Sequence, residues 1–294
     1  MDRRKKTAVA VIEHEKGKSA PLIHERPQPS QWIWYVLGSM AVLALVEFII
    51  FNDRWQWDVV GSYIFSSRIL TGVFNTLQLT VVSSIIGLML GIVLAVCRLS
   101  SNVALRTFAI AWIWLARAIP TLVALLFIYF AAALLPTIDF GLPFFDASLF
   151  SIDTGSVLTR WSAAVIGLAF FLAGMSAEIF RGGLKAIDKG QWEACASIGM
   201  SRFTAMRVVV APQTIRVITP ALANEIITQF KNTSLVTVIG YLDLLTTVQM
   251  IYSTNFQTIP LLTVAVIWYL FLTSIALIGQ RALEKKFGKG FDGR

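Results

Sequence analysis

The amino-acid sequence predicts an all-α, polytopic membrane protein with six transmembrane spans. Three observations support this prediction. Hydrophobic residues make up 56% of the 294-residue chain, charged residues only 14%, and the mean hydropathy is +0.70, which is outside the range of soluble globular domains. The apolar residues are gathered into runs of about the length that crosses a bilayer as a helix. The basic residues are concentrated in alternate connections between those runs, as in membrane proteins with positively charged cytoplasmic loops.

The first predicted span is preceded by a polar segment, residues 1–31, whose basic and proline-containing composition is typical of a disordered cytoplasmic tail. Residues 32–51 are an apolar run of spanning length that opens with two tryptophans and a tyrosine, the aromatic residues typical of a membrane interface. Because no small-residue cleavage site accompanies this run, we expect an uncleaved anchor. The anchor and an extracytoplasmic connector together occupy residues 32–66.

Five further hydrophobic segments predict a membrane domain over residues 67–281, followed by a cytoplasmic C-terminal tail, residues 282–294. The segments lie at about 72–97, 106–135, 161–180, 216–240 and 259–280. The second is long for one span and contains Pro120, which removes a backbone donor and predicts a kink within a single span. The fourth is interrupted by charged and amide residues. The connection at 136–160, rich in Gly, Pro, Phe and Asp, is predicted to be a solvated connector or a docking surface.

Positive charge predicts the orientation of the spans. With a cytoplasmic N-terminus, twenty of the twenty-five Lys and Arg residues fall at the two ends of the chain, 1–31 and 281–294, and in the connections at 98–106 and 181–216. Three arginines fall outside and two basic residues lie at membrane depth. Six spans then leave both termini cytoplasmic. Splitting the 106–135 segment into two spans would place the basic 181–216 loop outside, so the charge count favours one kinked span.

A polar, basic segment, Glu178–Pro212, interrupts the hydrophobic pattern. Asp188 and Gln191 are spaced as a capping pair that opens a helix, and Gly199 supplies the permissive backbone that closes it about ten residues later. A second helix is predicted to begin at Ser201. A helix this short neither spans a bilayer nor holds its shape alone. The sequence therefore predicts that it docks against another molecule.

This segment also carries a spaced motif: Glu193-Ala194-Cys195, then Gly199, then Pro212. The arrangement closely resembles the EAA loop of the membrane subunits of binding-protein-dependent ABC importers. Cys195 stands where the family has a second alanine, a small-for-small change. Other motifs are similar to the polar amino acid uptake branch of that family, and the resemblance covers about residues 68–286. These motifs are Gly72–Thr80, Arg98–Ser100, Arg117–Leu122, Glu178–Gly183 and Lys231–Leu235.

The resemblance implies a five-helix importer permease core with one extra N-terminal transmembrane helix, in the bacterial inner membrane. Such a subunit is not an enzyme: it moves a polar amino acid delivered by an extracytoplasmic binding protein and works as a dimer, with a second copy or a paralogue. The chain has no phosphate-binding loop, so no cofactor is expected on it, and ATP and Mg²⁺ belong to a separate ATPase partner. The resemblance assigns docking of that ATPase to Asp188, Gly190, Gln191, Trp192, Glu193, Ala194, Gly199 and Pro212.

Polar and ionisable residues at membrane depth are costly and so mark candidate substrate positions. A zwitterionic amino acid presents a carboxylate and an ammonium, which Arg or Lys and Glu would bind by charge-assisted hydrogen bonds. For Glu178 the alternative is an ion pair with Arg181 one turn away, and for Glu225 it is a structural hydrogen bond. The polar break at 231–234 is either a pathway or gate, or a structural interruption. The substrate-path candidates are Arg117, Pro120, Glu178, Glu225, Lys231, Asn232, Thr233 and Ser234.

Three other functional classes fit the sequence less well. An ion-gradient-driven secondary amino acid transporter would use the same intramembrane charges but has no need of the 35-residue basic loop. A membrane-embedded enzyme lacks an evident site, because both histidines lie in the N-terminal tail and no cysteine stands beside a base. Nucleic-acid binding is not expected, because the basic residues form no contiguous stripe with interleaved aromatics. The sequence does not name the amino acid.

Overall fold

The computed structural model describes residues 31–141 and 148–288. The tail predicted at 1–31 therefore lies outside the described parts except for its last residue, and so do the last six residues of the chain. The chain divides into two compact units, one ending at Asp53 and the other beginning at Arg54. Helix α1 (Gln31–Phe51) belongs to the first unit. At 1.5 Å per residue it is about 31 Å long, enough to cross the hydrocarbon layer. Its side chains are almost all exposed, as expected for a lipid-facing anchor.

The second unit contains most of the helices and one β-hairpin. The helices are α2 (Trp57–Tyr63), α3 (Ser67–Leu99), α4 (Val103–Ala118), α5 (Thr121–Leu134), α6 (Thr154–Val157), α7 (Arg160–Lys185), α8 (Lys189–Ser197), α9 (Arg202–Ala205), α10 (Ala211–Asn232), α11 (Leu244–Asn255) and α12 (Thr258–Gly288). A 3₁₀ turn (Asp53–Trp55) lies at the boundary between the units, a π-helical turn (Met206–Val210) joins α9 to α10, and a 3₁₀-helix (Thr233–Ile239) follows α10. The strands β1 (Thr137–Gly141) and β2 (Ser148–Asp153) pair antiparallel.

Two element boundaries differ from the sequence-based prediction. The membrane domain, predicted to begin at residue 67, includes part of the predicted extracytoplasmic connector. Val60 of α2 is buried in a cluster with Ile69 and Leu244. The last helix extends past residue 281 to Gly288. The connection after α5, predicted as a solvated connector or docking surface, contains the β-hairpin. Its pairing begins with Thr137 opposite Asp153.

Four helices, α1, α3, α7 and α12, are each long and apolar enough to cross a membrane alone. Two pairs pass the same test only when both members are taken together: α4 with α5, bent by 112°, and the helical run Arg202–Ile239, which contains α10, with α11, bent by 44°. Both halves of α4–α5 pack on α7. Ala116, before the break, approaches Gly174, whereas Leu125 and Ile128, after it, approach Gly167. The break itself falls at Pro120, where the sequence predicts a kink.

Helix α7 lies at the centre of the bundle and contacts α3 along most of its length. The close approach depends on small residues. A Cβ atom at Gly87 would lie 2.8 Å from Leu172 Cβ, and one at Gly91 would lie 2.0 Å from Ser176 Oγ. Small residues that let helices approach closely are the usual means of packing transmembrane helices. The α3–α7 pair therefore forms a closely packed centre, and α4–α5 and α10 pack against it.

Candidate functional site

The first part of the site is a short helical segment, residues 188–205, which we call the foot. Asp188 caps α8: its Oδ1 accepts a hydrogen bond from Gly190 N at 2.6 Å. At the other end Gly199 has φ +76°, the left-handed conformation that favours glycine after a helix. The N–H of Met200 donates to Cys195 O at 3.0 Å. The predicted opening and closing residues of this helix are thus in place.

One detail of that prediction is wrong. Gln191 does not complete a capping pair with Asp188; its Oε1 accepts a hydrogen bond from Gln213 Nε2 at 3.1 Å. The reason is that the start of α10 lies beside α8 and offers a side-chain donor within reach, which the linear spacing of Asp188 and Gln191 does not reveal. This bond ties the foot to the first turn of α10.

The second helix of the foot begins where the sequence predicts. Ser201 Oγ accepts from Thr204 N at 3.1 Å and so caps α9. The chain then continues through the π-helical turn into α10. Pro212 falls in the first turn of α10, directly after the π-helical turn, and it contributes no N–H to the helical hydrogen bonds there. The foot is therefore connected to two membrane helices: α7 precedes it and α10 follows it.

The foot exposes an apolar surface that the motif-based prediction did not include. Ile198 is 72% exposed and Phe203 is 76% exposed. A concavity of about 660 Å³ is lined by Phe203 and by residues that include Trp192 and Glu193. Large apolar side chains exposed on a polar segment mark an interaction surface. The sequence feature that could have revealed this surface is the position of two large apolar residues on either side of Gly199 in a basic loop.

Of the predicted substrate-path residues, Glu178 is already paired. Arg181 Nε donates to Glu178 Oε2 at 3.0 Å, as the alternative interpretation expected. Sequence reasoning missed a second cation: Arg98 Nε lies 3.1 Å from Glu178 Oε1. Because Arg98 ends α3, the carboxylate ties α3 to α7. It is not among the residues that line the cavity described next.

Four of the other predicted residues line one cavity of about 310 Å³. It lies where the α4–α5 break faces α7 and α10, and its volume is at the lower end of the range for small-molecule sites. Arg117 and Pro120 come from the break, and Glu225 and Asn232 from α10. Neither Arg117 nor Glu225 lies within 4.0 Å of an oppositely charged group of any described residue.

The remaining predicted residues separate at the end of α10. Lys231 and Ser234 line a groove of about 380 Å³ against α12, where Tyr269 forms part of the wall. Thr233 is buried, and its Oγ1 donates to Phe230 O at 2.6 Å. Ser234 Oγ also donates to Lys231 O at 2.8 Å. Residues of the polar break therefore line both the cavity and the groove, and two of them bond to backbone carbonyls of the end of α10.

Two cavity residues that the sequence did not single out are Thr228 and Gln229. Gln229 is 3% exposed, and its Nε2 donates to Ser83 Oγ at 3.1 Å and to Leu168 O at 3.0 Å. It therefore links α10 to α3 and α7. Both side chains are uncharged, so the search for costly charges at membrane depth could not find them.

Residues 87–289, which contain most of these helices and the foot, match the family model of the binding-protein-dependent transport system inner membrane component. The chain belongs to this family. The permease is therefore a multi-pass inner membrane protein and a transport subunit, not an enzyme. Membership implies an ATPase, a substrate-binding protein and a second permease subunit as partners. The sequence-based resemblance is confirmed, and the secondary-transporter alternative is disfavoured.

Known relatives of the permease agree with this assignment. It is 38% identical over 278 residues to the arginine transport system permease protein ArgU of Corynebacterium glutamicum, covering 93% of this chain and 84% of that protein. It is 31% identical to the putative glutamine transport system permease protein GlnP of Rickettsia bellii, covering 76% and 95%. The crystal structure of an amino acid ABC transporter with histidines matches with a TM-score of 0.63 at 31% identity, covering 74% and 94%.

Proposed function

We propose that the permease moves a polar amino acid inward through the α4–α5/α7/α10 cavity, driven by ATP hydrolysis in its partner. The supporting observation is the placement of Arg117 and Glu225, opposite in charge and unpaired with any described residue, around one cavity at membrane depth. Unpaired charges there are costly and are retained where they contact a solute or its path. A zwitterionic amino acid supplies a partner for each of them. The names of the relatives also point to amino acids.

The foot is proposed to dock in the ATPase. Its exposed Ile198 and Phe203 supply apolar contacts, and the predicted residues around Glu193 supply the polar rim. ATP and Mg²⁺ would be bound by that ATPase alone. The distribution of basic residues supports a cytoplasmic position for the foot and both termini. The binding protein would then deliver the amino acid to the side that carries the β-hairpin. The second permease would be a copy of this chain or a paralogue.

Reconstitution tests the transport proposal. The permease, its ATPase and its binding protein would be placed in proteoliposomes, and uptake of labelled amino acids measured with and without ATP. We expect uptake to require ATP and the binding protein, and Arg117→Gln to reduce it by about tenfold or more. Arg106→Gln, on the same helix α4 but away from the cavity, is the matched control. Uptake that continues without the ATPase and follows an imposed ion gradient would support a secondary transporter instead.

Affinity capture tests the docking proposal. Phe203→Asp should reduce recovery of the ATPase with the solubilised permease by at least about tenfold, because it puts a charge in an apolar contact. Lys189→Ala, an exposed change on the same foot, should leave recovery within about twofold. Equal recovery with Phe203→Asp would remove this surface from the proposed interface.

A further inference from the structure

The Glu178 carboxylate has hydrogen-bonding capacity that its two ion-pair partners leave unused. An ionised carboxylate has about four acceptor sites. Arg181 uses Oε2 alone, because its Nε and Nη2 both donate to that oxygen. Arg98 Nε lies 3.1 Å from Oε1, but the geometry is not that of a hydrogen bond, and this buried oxygen has no hydrogen-bond partner among the described residues. Glu178 can therefore accept from a further donor without losing either arginine.

Arg117 lies on a helix that packs beside Glu178. On α4, one turn before Arg117, Ile113 belongs to a buried cluster with Ala177, the residue that precedes Glu178 on α7. Side chains on a helix tilt towards its N-terminus, so the long Arg117 side chain extends from the α4–α5 break back towards the level of Ile113. The Arg117 charge acts on the Glu178 carboxylate, although the two groups are more than 4.0 Å apart.

Arg117 also faces the cavity of the proposed transport path. It lines that cavity together with Met175 of α7. Glu178 follows Met175 by one turn and lies nearer to the foot, outside the cavity lining. Arg117 can therefore serve a carboxylate in the cavity or the carboxylate of Glu178, and one guanidinium does not bond fully to both.

We infer that Glu178 competes with the transported amino acid for Arg117 and so promotes release of the amino acid towards the foot. This inference rests on the proposed function. With an amino acid in the cavity, Arg117 bonds to its carboxylate. When Arg117 turns to the open Oε1 of Glu178, the amino acid loses that cation and is held less tightly. Glu178 is thus a positioning residue, because it acts on the substrate only through Arg117.

Arg98 and Arg181 make Glu178 suited to this role. They hold the carboxylate in place, so Oε1 remains at a fixed position. They also share its single negative charge, so a third cation is attracted more weakly than it would be by an isolated carboxylate. Moderate attraction is required, because an Arg117 side chain bound too tightly to Glu178 would not return to the next substrate.

Release of bound substrate tests this step. The complex of permease, ATPase and binding protein, in lipid nanodiscs, would be loaded with the labelled amino acid that the unmodified complex takes up with ATP in proteoliposomes. Its equilibrium binding and its dissociation after addition of ATP would then be measured. We expect Glu178→Gln to slow release by about tenfold or more, and to bind the amino acid as tightly as the unmodified complex or up to about tenfold more tightly.

Arg181→Gln is the matched comparison. It breaks the same ion pair between Arg181 and Glu178, but it leaves the Glu178 charge with one cation fewer. Arg117 is then drawn more strongly to Glu178, so release should be at least as fast as in the unmodified complex and binding about threefold weaker. A purely structural role for the ion pair would change release in the same direction in both variants.

Glu178→Asp decides the outcome if Glu178→Gln fails to assemble. It keeps the charge but shortens the side chain by one methylene, so the carboxylate is less well placed for Arg117. We expect release to slow by about three- to tenfold, with binding unchanged. Release at the unmodified rate in Glu178→Asp would then count against the inference.

Unchanged release in Glu178→Gln, or release slowed equally in Glu178→Gln and Arg181→Gln, would overturn the inference and leave the proposed function intact. Weaker substrate binding in Glu178→Gln would do the same, because a competitor for Arg117 does not strengthen binding. Absence of ATP-dependent uptake of every labelled amino acid by the unmodified complex would instead overturn the proposed function and, with it, the inference.

Discussion

Helices α7 and α10 both carry a glutamate within a membrane span, but the glutamate of α7 is paired with cations and that of α10 is not paired with any described residue. On α7, Glu178 is held between Arg98 and Arg181, and the helix is packed on α3 through glycines. On α10, Glu225 has no ion pair with any described residue and lines a cavity. The contrast separates charges whose partner is in the same chain from charges that await a partner. The first kind holds helices together, and the second kind is available to a solute.

The foot is joined to both helices through the backbone, but in different ways. Helix α7 leads into the foot through two residues, Ala186 and Ile187, before the Asp188 cap. The foot leads into α10 through the π-helical turn without a break in the helical run. An exposed side-chain bond from Gln213 to Gln191 adds a second contact between α10 and α8 of the foot.

The largest effect is expected where α7 packs on α10. A Cβ atom at Gly183 would lie 2.1 Å from Ile218 Cγ2, whereas one at Gly182 would meet nothing within 4 Å. Gly183→Ala should lower the free energy of unfolding in mixed micelles by about 1–3 kcal/mol, because it overpacks a close helix contact. Gly182→Ala, its neighbour, should be neutral or stabilising by up to about 1 kcal/mol. Equal stability of the two variants would show that α7 does not hold α10 at this point.

The next effect tests the two glutamates directly. Glu178→Gln removes the charge that Arg98 and Arg181 share and should lower the free energy of unfolding by about 1–2 kcal/mol, because both cations are left uncompensated at a partly buried site. Glu225→Gln removes a charge that has no partner among the described residues, so stability should be unchanged or slightly higher. The same unfolding measurement on both variants checks this. A larger loss for Glu225→Gln would mean that Glu225 is a structural residue.

A smaller effect is expected at the joint between α7 and the foot. Asp188→Ala removes the cap of α8, which is worth about 1 kcal/mol, and should weaken ATPase binding by about fivefold. Asp188→Asn keeps an oxygen that accepts from Gly190 N and should retain nearly full binding. Titration of the ATPase against the solubilised permease measures both. If Asp188→Asn lost as much ATPase binding as Asp188→Ala, Asp188 would be assigned to direct contact with the ATPase.

Local signals predicted much of this arrangement from the sequence. Gly199 and Ser201 mark a helix end and a helix start because the backbone conformation and the cap depend on neighbouring residues. Pro120 predicted the α4–α5 break for the same reason. Likewise, the polar run from Lys231 predicted the end of α10, because consecutive polar groups are not stable in lipid-facing helix. Each of these features is decided within a few residues of chain.

Features that depend on distant residues were missed or misassigned. Arg98 pairs with Glu178, eighty residues away in the sequence. Gln213, twenty-two residues from Gln191, donates to Gln191 Oε1, which was expected to accept from the cap of α8. Gln229 and Thr228 were missed because neutral polar residues are common in transmembrane helices. Only their bonds to Leu168, Ser83 and Asn224 show which of their hydrogen-bonding atoms are already used within the protein. The direction of a hydrogen bond is a three-dimensional property. For that reason the charges of the cavity were predictable and the hydrogen bonds of its neutral residues were not.

The smallest effect is expected at the joint between α10 and the foot, and it is the most informative about coupling. The Gln213–Gln191 bond is exposed at 3.1 Å, so a double-mutant cycle of Gln191→Ala and Gln213→Ala should give an interaction energy of about 0.5–1 kcal/mol. Stability should barely change. If the bond transmits movement of the foot to α10, either single variant will hydrolyse more ATP per amino acid transported, by about twofold, and the double variant will be no worse than either. Additive losses in that ratio would show that the two glutamines act independently, with α10 following the foot through the π-helical turn alone.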